Sequence, residues 1–460
     1  MRIELCRSLR ADGALQCALG VSTTAPRSMA FGGIATDSRE VKCGDLFVAL
    51  PGERTHGAAH IAEAVQRGAA AVLLGAEVAL DEMPIPMLQV ADPMQALLEA
   101  AACYRRRSRS FVVAIGGSTG KTTTKEGLAA ILAQKGSVAY SEGNYNSTLG
   151  APLSVLSFEE TDAWVVELGI NHPGEMEPLA WAMQPDLAVL TNVGTAHVGN
   201  FGSFDTLLFE KAKIAGALSP NGCLLLPAEL PLSSFSIDRH RVYRIGTDCR
   251  MENVFSDETG VCGDWVGWDR GITDLRWCVP GRIGRHTLTV LTAAAVLSGC
   301  NEDQLRTGLA LAAERIPRLK TVIIGDRLLI DDTYNASPES VAGALEVLCY
   351  RAAGRSTVAV LGDMLELGDR AQELHIAVGR AVEKIGIDRL FTYGPLARSI
   401  ALGAKLGGMC EERIFSFACG QEEELLRCLC TVVPQRAAIL FKASGKMQMS
   451  RLVAAARRKI

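Results

Sequence analysis

Residues 111–126 combine the residue types that bind nucleotide phosphates. The segment reads FVVAIGGSTGKTTTKE, in which an apolar run ends in glycines and is followed by Lys121, Thr122 and a helix-compatible stretch. Glycines let the backbone approach an anion, N–H groups of the loop and helix N-terminus face it, lysine adds charge, and a threonine hydroxyl can bind Mg²⁺. A Gly/Ser turn with an incidental lysine is the alternative, but the flanking strand and helix favour a phosphate-binding loop. The residues of this loop that would contact phosphate are Gly117, Ser118, Thr119, Gly120, Lys121, Thr122 and Thr123.

A carboxylate follows the next buried run, because Glu167 lies near the end of the apolar residues 163–168. Ligands of open α/β sheets bind at the carboxyl ends of the strands. Mg²⁺ prefers oxygen donors and usually takes only one or two protein carboxylates. Glu167 is therefore a candidate magnesium ligand, with an ordinary solvated glutamate at a strand end as the alternative.

Three further polar positions have weaker signals. Asn144 and Asn146 lie in a segment rich in turn-forming residues, where surface turn chemistry is an equally good explanation. His197 follows the apolar residues 187–191 in a glycine-rich loop, and this setting favours a site role over a core histidine. Lys211 lies on a predicted helix, and its spacing alone predicts only a solvated charge.

The chain of 460 residues is too long for one ordinary core, so two or three domains are expected. Three units are predicted: residues 1–91, with short strands and one good helix; residues 92–315, around the phosphate-binding loop; and residues 316–460. Two prolines in residues 81–86 indicate the first boundary region.

The order of strands and helices predicts an α/β protein in all three units. In the central unit, strands at residues 163–168 and 187–191 alternate with helices, which predicts a parallel sheet around the phosphate-binding loop (P-loop). Residues 230–277 are predicted to be rich in β-structure. In the third unit, four strands near residues 327–331, 357–361, 389–393 and 437–441 alternate with helices. That pattern indicates a Rossmann-like domain without the GxGxxG fingerprint.

Composition excludes several classes of function. The net charge is −4 and no long basic block is present, so nucleic acid is not an expected partner. Charged residues interrupt the N-terminal apolar residues, and no apolar run is long enough to span a bilayer. The 14 cysteines are scattered and predict free thiols. The expected location is the cytoplasm, without insertion into a membrane.

Taken together, the motifs resemble those of the ATP-dependent Mur ligases, almost from end to end. The matching segments are TDSR at residues 36–39, GDLFVAL at 44–50, GGSTGKTTTKE at 116–126, GNYNSTLGAPL at 143–153, VELGINHPGEM at 166–176, LTNVGTAHVGNFGS at 190–203, DDTYNASP at 331–338, VLGDMLELG at 360–368 and KAS at 442–444. Each motif alone is weak, but this set in this order is highly specific.

The resemblance implies a UDP-substrate domain, a central ATPase domain and a Rossmann-like domain that closes over ATP. The pattern is most similar to the branch of the family that joins D-alanyl-D-alanine to UDP-N-acetylmuramoyl-tripeptide. In the implied reaction, ATP phosphorylates the terminal carboxylate of the tripeptide, and the amine of the dipeptide attacks the acyl phosphate. A monomer is the simplest expectation for such an enzyme.

The resemblance also implies roles for individual residues. Thr122 and Glu167 would hold one Mg²⁺ ion, His197 a second, and Lys211 would be carbamylated. The nucleotide would meet Asp332, Tyr334 and Asn335 of the third domain. The path of the UDP-sugar would be lined by Ser38, Arg39, Asn144 and Asn146.

The chain departs from the family pattern at four places, two of which bear on Lys211 and on the adenine segment. Ala212 and Lys213 follow Lys211 where the family usually has Gly-Glu, and Thr287 and Val290 replace asparagines of the adenine segment. These departures bear on carbamylation and on the selectivity for adenine.

Three other functions remain as alternatives. One is a sibling ligase that adds a diamino acid, but no Asp-Asn-Pro-Arg-like motif is present. A folate polyglutamate ligase would lack the N-terminal UDP-substrate domain that residues 36–50 suggest. A non-catalytic nucleotide-binding regulator would be expected to lose Lys121, Glu167 or His197, and all three are present.

Overall fold

The computed structural model describes residues 1–10, 15, 18–19, 29–52, 55–78, 84–235, 241–316 and 318–459. The described strands form three sheets of five, nine and six strands, which follow one another along the chain. The chain is therefore a three-domain α/β protein, as its sequence pattern predicts.

The first sheet has five strands in chain order, and only its first pair is antiparallel. The strands are Arg2–Glu4, Gly33–Ala35, Leu46–Val48, Ala71–Gly75 and Met87–Val90. The helices and 3₁₀ turns beside them are Arg7–Arg10, Ser38–Glu40, Gly57–His60 and Ile61–Gln66. The expected boundary at residues 81–86 lies partly outside the described residues. Because the strand Met87–Val90 pairs with Ala71–Gly75, this sheet continues beyond the two prolines.

The central sheet has a parallel part around the phosphate-binding loop. In spatial order its strands are Arg241–Ile245, Cys223–Pro227, Leu187–Leu190, Phe111–Gly116, Ala163–Glu167 and Val138–Tyr140. The four strands Cys223–Pro227, Leu187–Leu190, Phe111–Gly116 and Ala163–Glu167 are almost wholly buried. Burial on both faces explains why they read as continuous apolar runs rather than alternating patterns.

Three antiparallel strands extend this sheet at one edge and make it mixed. They are Cys249–Ser256, Val261–Gly267 and Arg270–Trp277, so the predicted β-rich segment is confirmed. The helices of the domain are Pro93–Arg107, Lys121–Leu132, Gly150–Ser157, Met176–Met183, Val198–Phe201, Phe204–Ala212, Gly281–Leu297 and Glu302–Arg315, with 3₁₀ turns Lys213–Ala217 and Leu232–Ser234.

The third sheet is parallel except for its first pair of strands. In spatial order the strands are Lys320–Ile324, Arg327–Asp332, Ala437–Lys442, Ser356–Gly362, Arg389–Tyr393 and Ile414–Phe417. The helices are Pro338–Ala352, Ala371–Ile385, Arg398–Leu406, Glu422–Val432 and Ser450–Lys459, and the 3₁₀ turns are Gly368–Arg370, Glu411–Arg413 and Gly445–Met447. The four strands predicted from the sequence are all present.

Hydrophobic clusters join the domains in pairs. One cluster contains buried residues of the central and third sheets, and another contains residues of the first and central sheets. In the part of the chain that the structure describes, no helix combines the length and the apolar character needed to cross a membrane.

Candidate active site

The phosphate-binding loop connects the buried strand Phe111–Gly116 with the helix Lys121–Leu132. The backbone angle φ is +138° at Gly117 and +81° at Gly120, a region that favours glycine. A Cβ atom on Gly117 would lie 2.0 Å from the hydroxyl oxygen of Thr191. The loop therefore needs glycine at this position for its conformation and for close contact with its neighbour.

Thr191 and Asn192 hold the loop in place from the end of the adjacent strand Leu187–Leu190. The side-chain oxygen of Asn192 accepts hydrogen bonds from the backbone N–H groups of Ser118 (3.2 Å) and Thr119 (2.9 Å). The Thr191 hydroxyl donates to the carbonyl oxygen of Thr119 at 2.7 Å. Neither residue was predicted as part of the site, although their place after a buried strand was a usable signal.

Two lysines converge beneath the loop. The Nζ atoms of Lys121 and Lys211 donate to the same acceptor, the carbonyl oxygen of Gly117, at 2.9 and 3.1 Å. Lys211 is buried, so the solvated charge predicted from its spacing alone is wrong. Burial, with a further contribution from the charge of Lys121, holds the pKa of Lys211 well below its usual range. Burial also lowers the pKa of Lys121, against the attraction of Glu167.

Glu167 is buried at the end of the strand Ala163–Glu167. Its Oε1 atom accepts a hydrogen bond from the Asn146 amide at 2.7 Å, whereas Oε2 has no partner among the described residues. Because an unpaired buried carboxylate oxygen is costly, a cation at Oε2 would offset its lost solvation.

These groups fit a magnesium ion. Thr122 lines the same cavity as Glu167 and offers a hydroxyl oxygen. The described residues contain no group of three His, Cys, Asp or Glu side chains arranged to bind a metal. One carboxylate and one hydroxyl nevertheless suit Mg²⁺, which usually keeps several waters and takes substrate phosphate oxygens as ligands.

His197 lies where the central domain meets the third domain. Its Nδ1 atom is 2.5 Å from Oε2 of Glu366, whose other oxygen is 3.2 Å from Nζ of Lys446. Burial lowers the pKa of His197, and the charges of Lys121 and Lys211 add to this effect against the opposing charge of Glu366. Glu366 lies within the motif VLGDMLELG, but no role was predicted for it from the sequence.

The third domain contributes a second set of polar groups. Nζ of Lys442 donates to Oδ2 of Asp332 at 2.5 Å and to the carbonyl oxygen of Asn335 at 2.8 Å. The guanidinium of Arg318 lies 3.5 Å from the centre of the Tyr334 ring. Burial lowers the pKa of Arg318, although Asp332 is one of the groups that oppose this effect. Arg318 was missed because its position near the start of the third domain carries no motif.

A cavity of about 670 Å³ brings most of the predicted site residues together. Arg318 and Lys442 also line it. The predicted residues among its walls are Ser118, Thr119, Gly120, Lys121, Thr122, Thr123, Asn144, Asn146, Glu167, His197, Asp332, Tyr334 and Asn335. An adjoining cavity of about 590 Å³ is lined by His197, Glu366 and Lys446, the first two of which also form a contact between the two domains. The geometry therefore predicts a nucleotide site that both domains build.

The two predicted residues of the first domain lie outside these walls. The Ser38 hydroxyl donates to a carboxylate oxygen of Glu63 at 2.7 Å, and Arg39 pairs with Asp37 at 2.6 Å. Asn146 contacts Glu167, so the structure does not group it with Ser38 and Arg39.

The segment in which Thr287 and Val290 depart from the family pattern lies at the start of the helix Gly281–Leu297. His286 Nε2 donates to the carbonyl oxygen of Thr191 at 2.8 Å, and the Thr287 hydroxyl donates to the carbonyl oxygen of Ile283 within the helix. His286 and Thr287 both line the larger cavity. Because the Thr287 hydroxyl hydrogen is already used, this side chain can only accept a hydrogen bond from a ligand.

The described features define a class of protein: a three-domain α/β enzyme with a phosphate-binding loop at a cavity between its central and third domains. The chain belongs to the Mur ligase family. Its matches to family models are the Mur ligase middle domain at residues 115–296, the Mur ligase, glutamate ligase domain at residues 315–445, and the Mur ligase family, catalytic domain at residues 31–105.

Individual relatives match over nearly the whole chain. The UDP-N-acetylmuramoyl-tripeptide–D-alanyl-D-alanine ligase of Bacillus subtilis is 32% identical over 432 residues, which cover 92% of each chain. The crystal structure of MurF from Acinetobacter baumannii matches with a TM-score of 0.88 at 29% identity, covering 99% of this chain and 100% of that one. MurF ligase from Thermotoga maritima in complex with ADP matches with a TM-score of 0.80 at 26% identity, over 93% and 97% of the two chains.

Proposed function

We propose that this protein is an ATP-dependent ligase that joins D-alanyl-D-alanine to UDP-N-acetylmuramoyl-tripeptide, giving the pentapeptide precursor of peptidoglycan. The observation that carries the proposal is one cavity between two domains, in which the phosphate-binding loop, Glu167 and His197 face Asp332 and Tyr334. Similarity to the Bacillus ligase over 92% of both chains supports the choice of substrates.

The reaction has two chemical steps. A terminal carboxylate oxygen of the tripeptide attacks the γ-phosphorus of ATP, and ADP leaves. The amine of the dipeptide then attacks the acyl carbon and loses a proton, and the tetrahedral intermediate expels phosphate to leave an amide. Both steps crowd anionic oxygens, so fixed positive charges that are strongest in the transition state accelerate them.

Residues on both sides of the cavity supply that charge. Lys121 lies at the N-terminus of the helix Lys121–Leu132, where backbone N–H groups and the helix dipole also favour phosphate. Arg318 faces the same cavity from the third-domain side, held against Tyr334. In this proposal Asp332 and Asn335 contact the nucleoside, and Ser38 and Arg39 contact the UDP-substrate.

Two Mg²⁺ ions are part of the proposal. Glu167 and Thr122 would hold one ion near the β- and γ-phosphates, and His197 would hold the other near the transferred phosphoryl group. Bound magnesium supplies Lewis-acid stabilisation of phosphate charge. The unpaired oxygen of Glu167 supports the first of these assignments.

Lys211 is proposed to be carbamylated. In this modification the neutral amine attacks CO₂, a nitrogen–carbon bond forms, and one proton is released. The lowered pKa of Lys211, caused by burial and by Lys121, favours the neutral amine that the attack requires. A carbamate would also place an anion beside the cation of Lys121.

The test is release of phosphate from ATP by the purified full-length chain with UDP-N-acetylmuramoyl-tripeptide. We expect release that requires D-alanyl-D-alanine and is not supported by single amino acids. Release with a diamino acid and the dipeptide-bearing nucleotide would instead identify the sibling ligase. Release with a folate and glutamate would identify a folate polyglutamate ligase, and ATP binding without turnover on any pair would favour a regulator.

The carbamate has its own test. Lys211→Ala should lose at least about 100-fold in kcat, because it removes a buried charged group from the reacting centre. Acetate or formate should restore part of the activity, since either anion can occupy the place of the carbamate. Lys125→Ala is the matched control, because Lys125 is a buried lysine that donates to the carbonyl oxygen of Ser141. An inactive Lys211→Ala variant that neither anion rescues would contradict the assignment.

We also propose a cytoplasmic monomer with domains at residues 1–91, 92–315 and 316–460. Its cytoplasmic location is supported by the need for ATP and by the free cysteines among the described residues. Light scattering coupled to size-exclusion chromatography measures the oligomeric state, and a dimer mass would contradict the proposed monomer.

A further inference from the structure

Glu366 is the only carboxylate among the described residues that is paired with His197, and it comes from another domain. The Nδ1 atom of His197 lies 2.5 Å from Oε2 of Glu366. We propose that Glu366 is a positioning residue that fixes His197 in the tautomer with its hydrogen on Nδ1. This inference rests on the proposed function only for its consequence in ligation.

The chemistry of the two groups sets the direction of this hydrogen bond. An ionised carboxylate only accepts hydrogen bonds, so Nδ1 must carry the hydrogen and act as the donor. Nζ of Lys446 lies 3.2 Å from the other oxygen of Glu366, and a cation at this distance favours the ionised carboxylate. In a neutral imidazole the hydrogen on Nδ1 leaves the Nε2 lone pair free. Nε2 has no hydrogen-bonding partner within the described part of the chain, and His197 lines both cavities.

The backbone around Glu366 is itself fixed. The N–H group of Met364 donates to Nε2 of His375 at 3.0 Å, and the N–H group of Leu365 donates to the Ser444 hydroxyl at 2.8 Å. Glu366 has φ of +65°, a conformation that non-glycine residues rarely adopt. Such strained positions persist where the surrounding structure determines them, and they concentrate at functional sites.

The contact also depends on how the domains sit together. The N–H group of Gly199, two residues after His197, donates to the carbonyl oxygen of Glu366 at 3.3 Å. Both the backbone and the side chain of Glu366 therefore contact the loop that carries His197. Because the carboxylate belongs to the third domain, His197 acquires its orienting partner only when that domain is seated on the central domain. Closure of the third domain onto the central domain would thus bring Glu366 to His197 before ligation.

The alternative is a simple ion pair that holds the domains together. A merely structural contact would add its effect to that of any substitution at His197. The effect of substituting a residue that acts through His197 would not add to the effect of substituting His197, because without the histidine there is no side chain left to orient. The two explanations can therefore be separated.

The direct test is the ¹⁵N spectrum of the imidazole rings in the full-length chain, labelled at its seven histidines. His197→Gln identifies the two signals of His197 by their loss. We expect a protonated Nδ1 and an unprotonated Nε2 in the parent protein. In Glu366→Ala the Nε2-protonated form should become populated, whereas Glu366→Gln should retain the parent pattern because its amide oxygen still accepts.

The parent spectrum overturns the proposal if it shows the hydrogen on Nε2, even if the alanine variant fails to fold. An unchanged tautomer in a folded Glu366→Ala protein also overturns it. These results do not depend on turnover, so they are distinct from a failure of the proposed ligase activity.

Kinetics extend the test to the ligation reaction. Glu366→Ala should lower kcat by about 10- to 100-fold, as is typical when the partner of an active-site histidine is removed. Adding it to His197→Gln should cause no further loss. Glu373→Ala is the matched control, because Glu373 is an exposed third-domain glutamate paired with Arg370. Equal, additive losses in both backgrounds would mean that Glu366 acts only as an interdomain ion pair.

Discussion

At the scale of single residues, the candidate site contains ionisable side chains that are removed from water without full compensation by partners. Lys121 and Lys211 share one carbonyl acceptor, and no salt bridge to a carboxylate compensates either of them among the described residues. Glu167 has a buried oxygen without a partner. Ionisable groups that are removed from water without full compensation cost stability, so their presence together indicates a site that binds an anion and a cation.

Lys121→Ala should therefore separate activity from stability. We expect ATP-dependent turnover to fall by at least about 100- to 1000-fold, because one preorganised cation facing the phosphates is lost. The urea midpoint should stay equal or rise, since a desolvated cation is removed from the fold. The rate of phosphate release measures turnover, and urea unfolding measures stability.

Lys405→Ala provides the surface reference for that variant. Lys405 is exposed and pairs with Glu411, so its loss should change both measurements little. Turnover of Lys121→Ala within a fewfold of the parent protein would refute the phosphate-binding role.

The predictable residues of the site share one property: each lies in a local pattern. Lys121 follows glycines after a strand, and Glu167 ends a buried strand, so spacing alone identified them. Arg318 and Glu366 acquire their roles from partners that are far away in sequence, namely Tyr334 and His197. Single-sequence patterns carry no distance between such segments. The roles of Asp332, Tyr334 and Asn335 came only from resemblance, and they stay predictions.

At the scale of elements, buried parallel strands were the easiest to predict. Runs such as Ala163–Glu167 and Ala437–Lys442 are apolar throughout because both faces are covered. The hairpins of Cys249–Ser256, Val261–Gly267 and Arg270–Trp277 were expected only as β-rich structure. Their pairing contains register shifts, which no alternation in sequence can specify.

The helix Ala371–Ile385 shows how one element fixes a functional loop. His375 on this helix is fully buried, accepts a hydrogen bond from the N–H group of Met364, and lies close to the carbonyl oxygen of Ala371 at 2.6 Å. Burial lowers the pKa of His375 below its ordinary value of 6.5. Its Nε2 atom must stay unprotonated for the loop to keep its position.

Stability should consequently fall in acid through His375. Below pH 6.5 the unfolded chain binds a proton at this histidine and the folded chain does not, so the free energy of unfolding decreases until the lowered pKa is reached. One such group changes it by at most about 1.4 kcal/mol per pH unit. His375→Gln should flatten this part of the profile, measured by urea unfolding from pH 7 to pH 5. His172→Gln, at an exposed histidine, should leave the slope unchanged; a parent slope in the His375 variant would count against the assignment.

At the scale of the whole molecule, the site exists only where two domains meet. Besides the pair of His197 and Glu366, the Thr195 hydroxyl donates to a carboxylate oxygen of Glu339 at 2.9 Å. Arg282 pairs with Glu346 across the same interface at 3.0 Å. The resemblance implied closure of the third domain, and these contacts specify the side chains that hold it in this structure. Domain motion is the general route by which such sites exclude water and align substrates.

A close backbone contact between Gly199 and Gly368 gives a test of closure. A Cβ atom on Gly199 would lie 2.4 Å from the backbone nitrogen of Gly368 and 2.8 Å from its Cα atom. Gly199→Ala should therefore hold the domains slightly apart, because backbone atoms cannot yield as the end of a flexible side chain does. We expect kcat/KM to fall by about 10- to 100-fold, the effect of a displacement near 1 Å in a reacting geometry. The radius of gyration with ADP bound, measured by small-angle X-ray scattering, should increase relative to the parent protein.

Gly216→Ala is the matched control in the same domain, because nothing lies within 4 Å of a Cβ atom at that position. It should retain the parent kinetics and radius of gyration. If Gly199→Ala also retains both, the interface tolerates the extra methyl group, and seating of the third domain is not what limits assembly of the site. If turnover falls while the radius is unchanged, the methyl group acts locally on the loop that carries His197. Only the combined change links ligation to contact between the two domains.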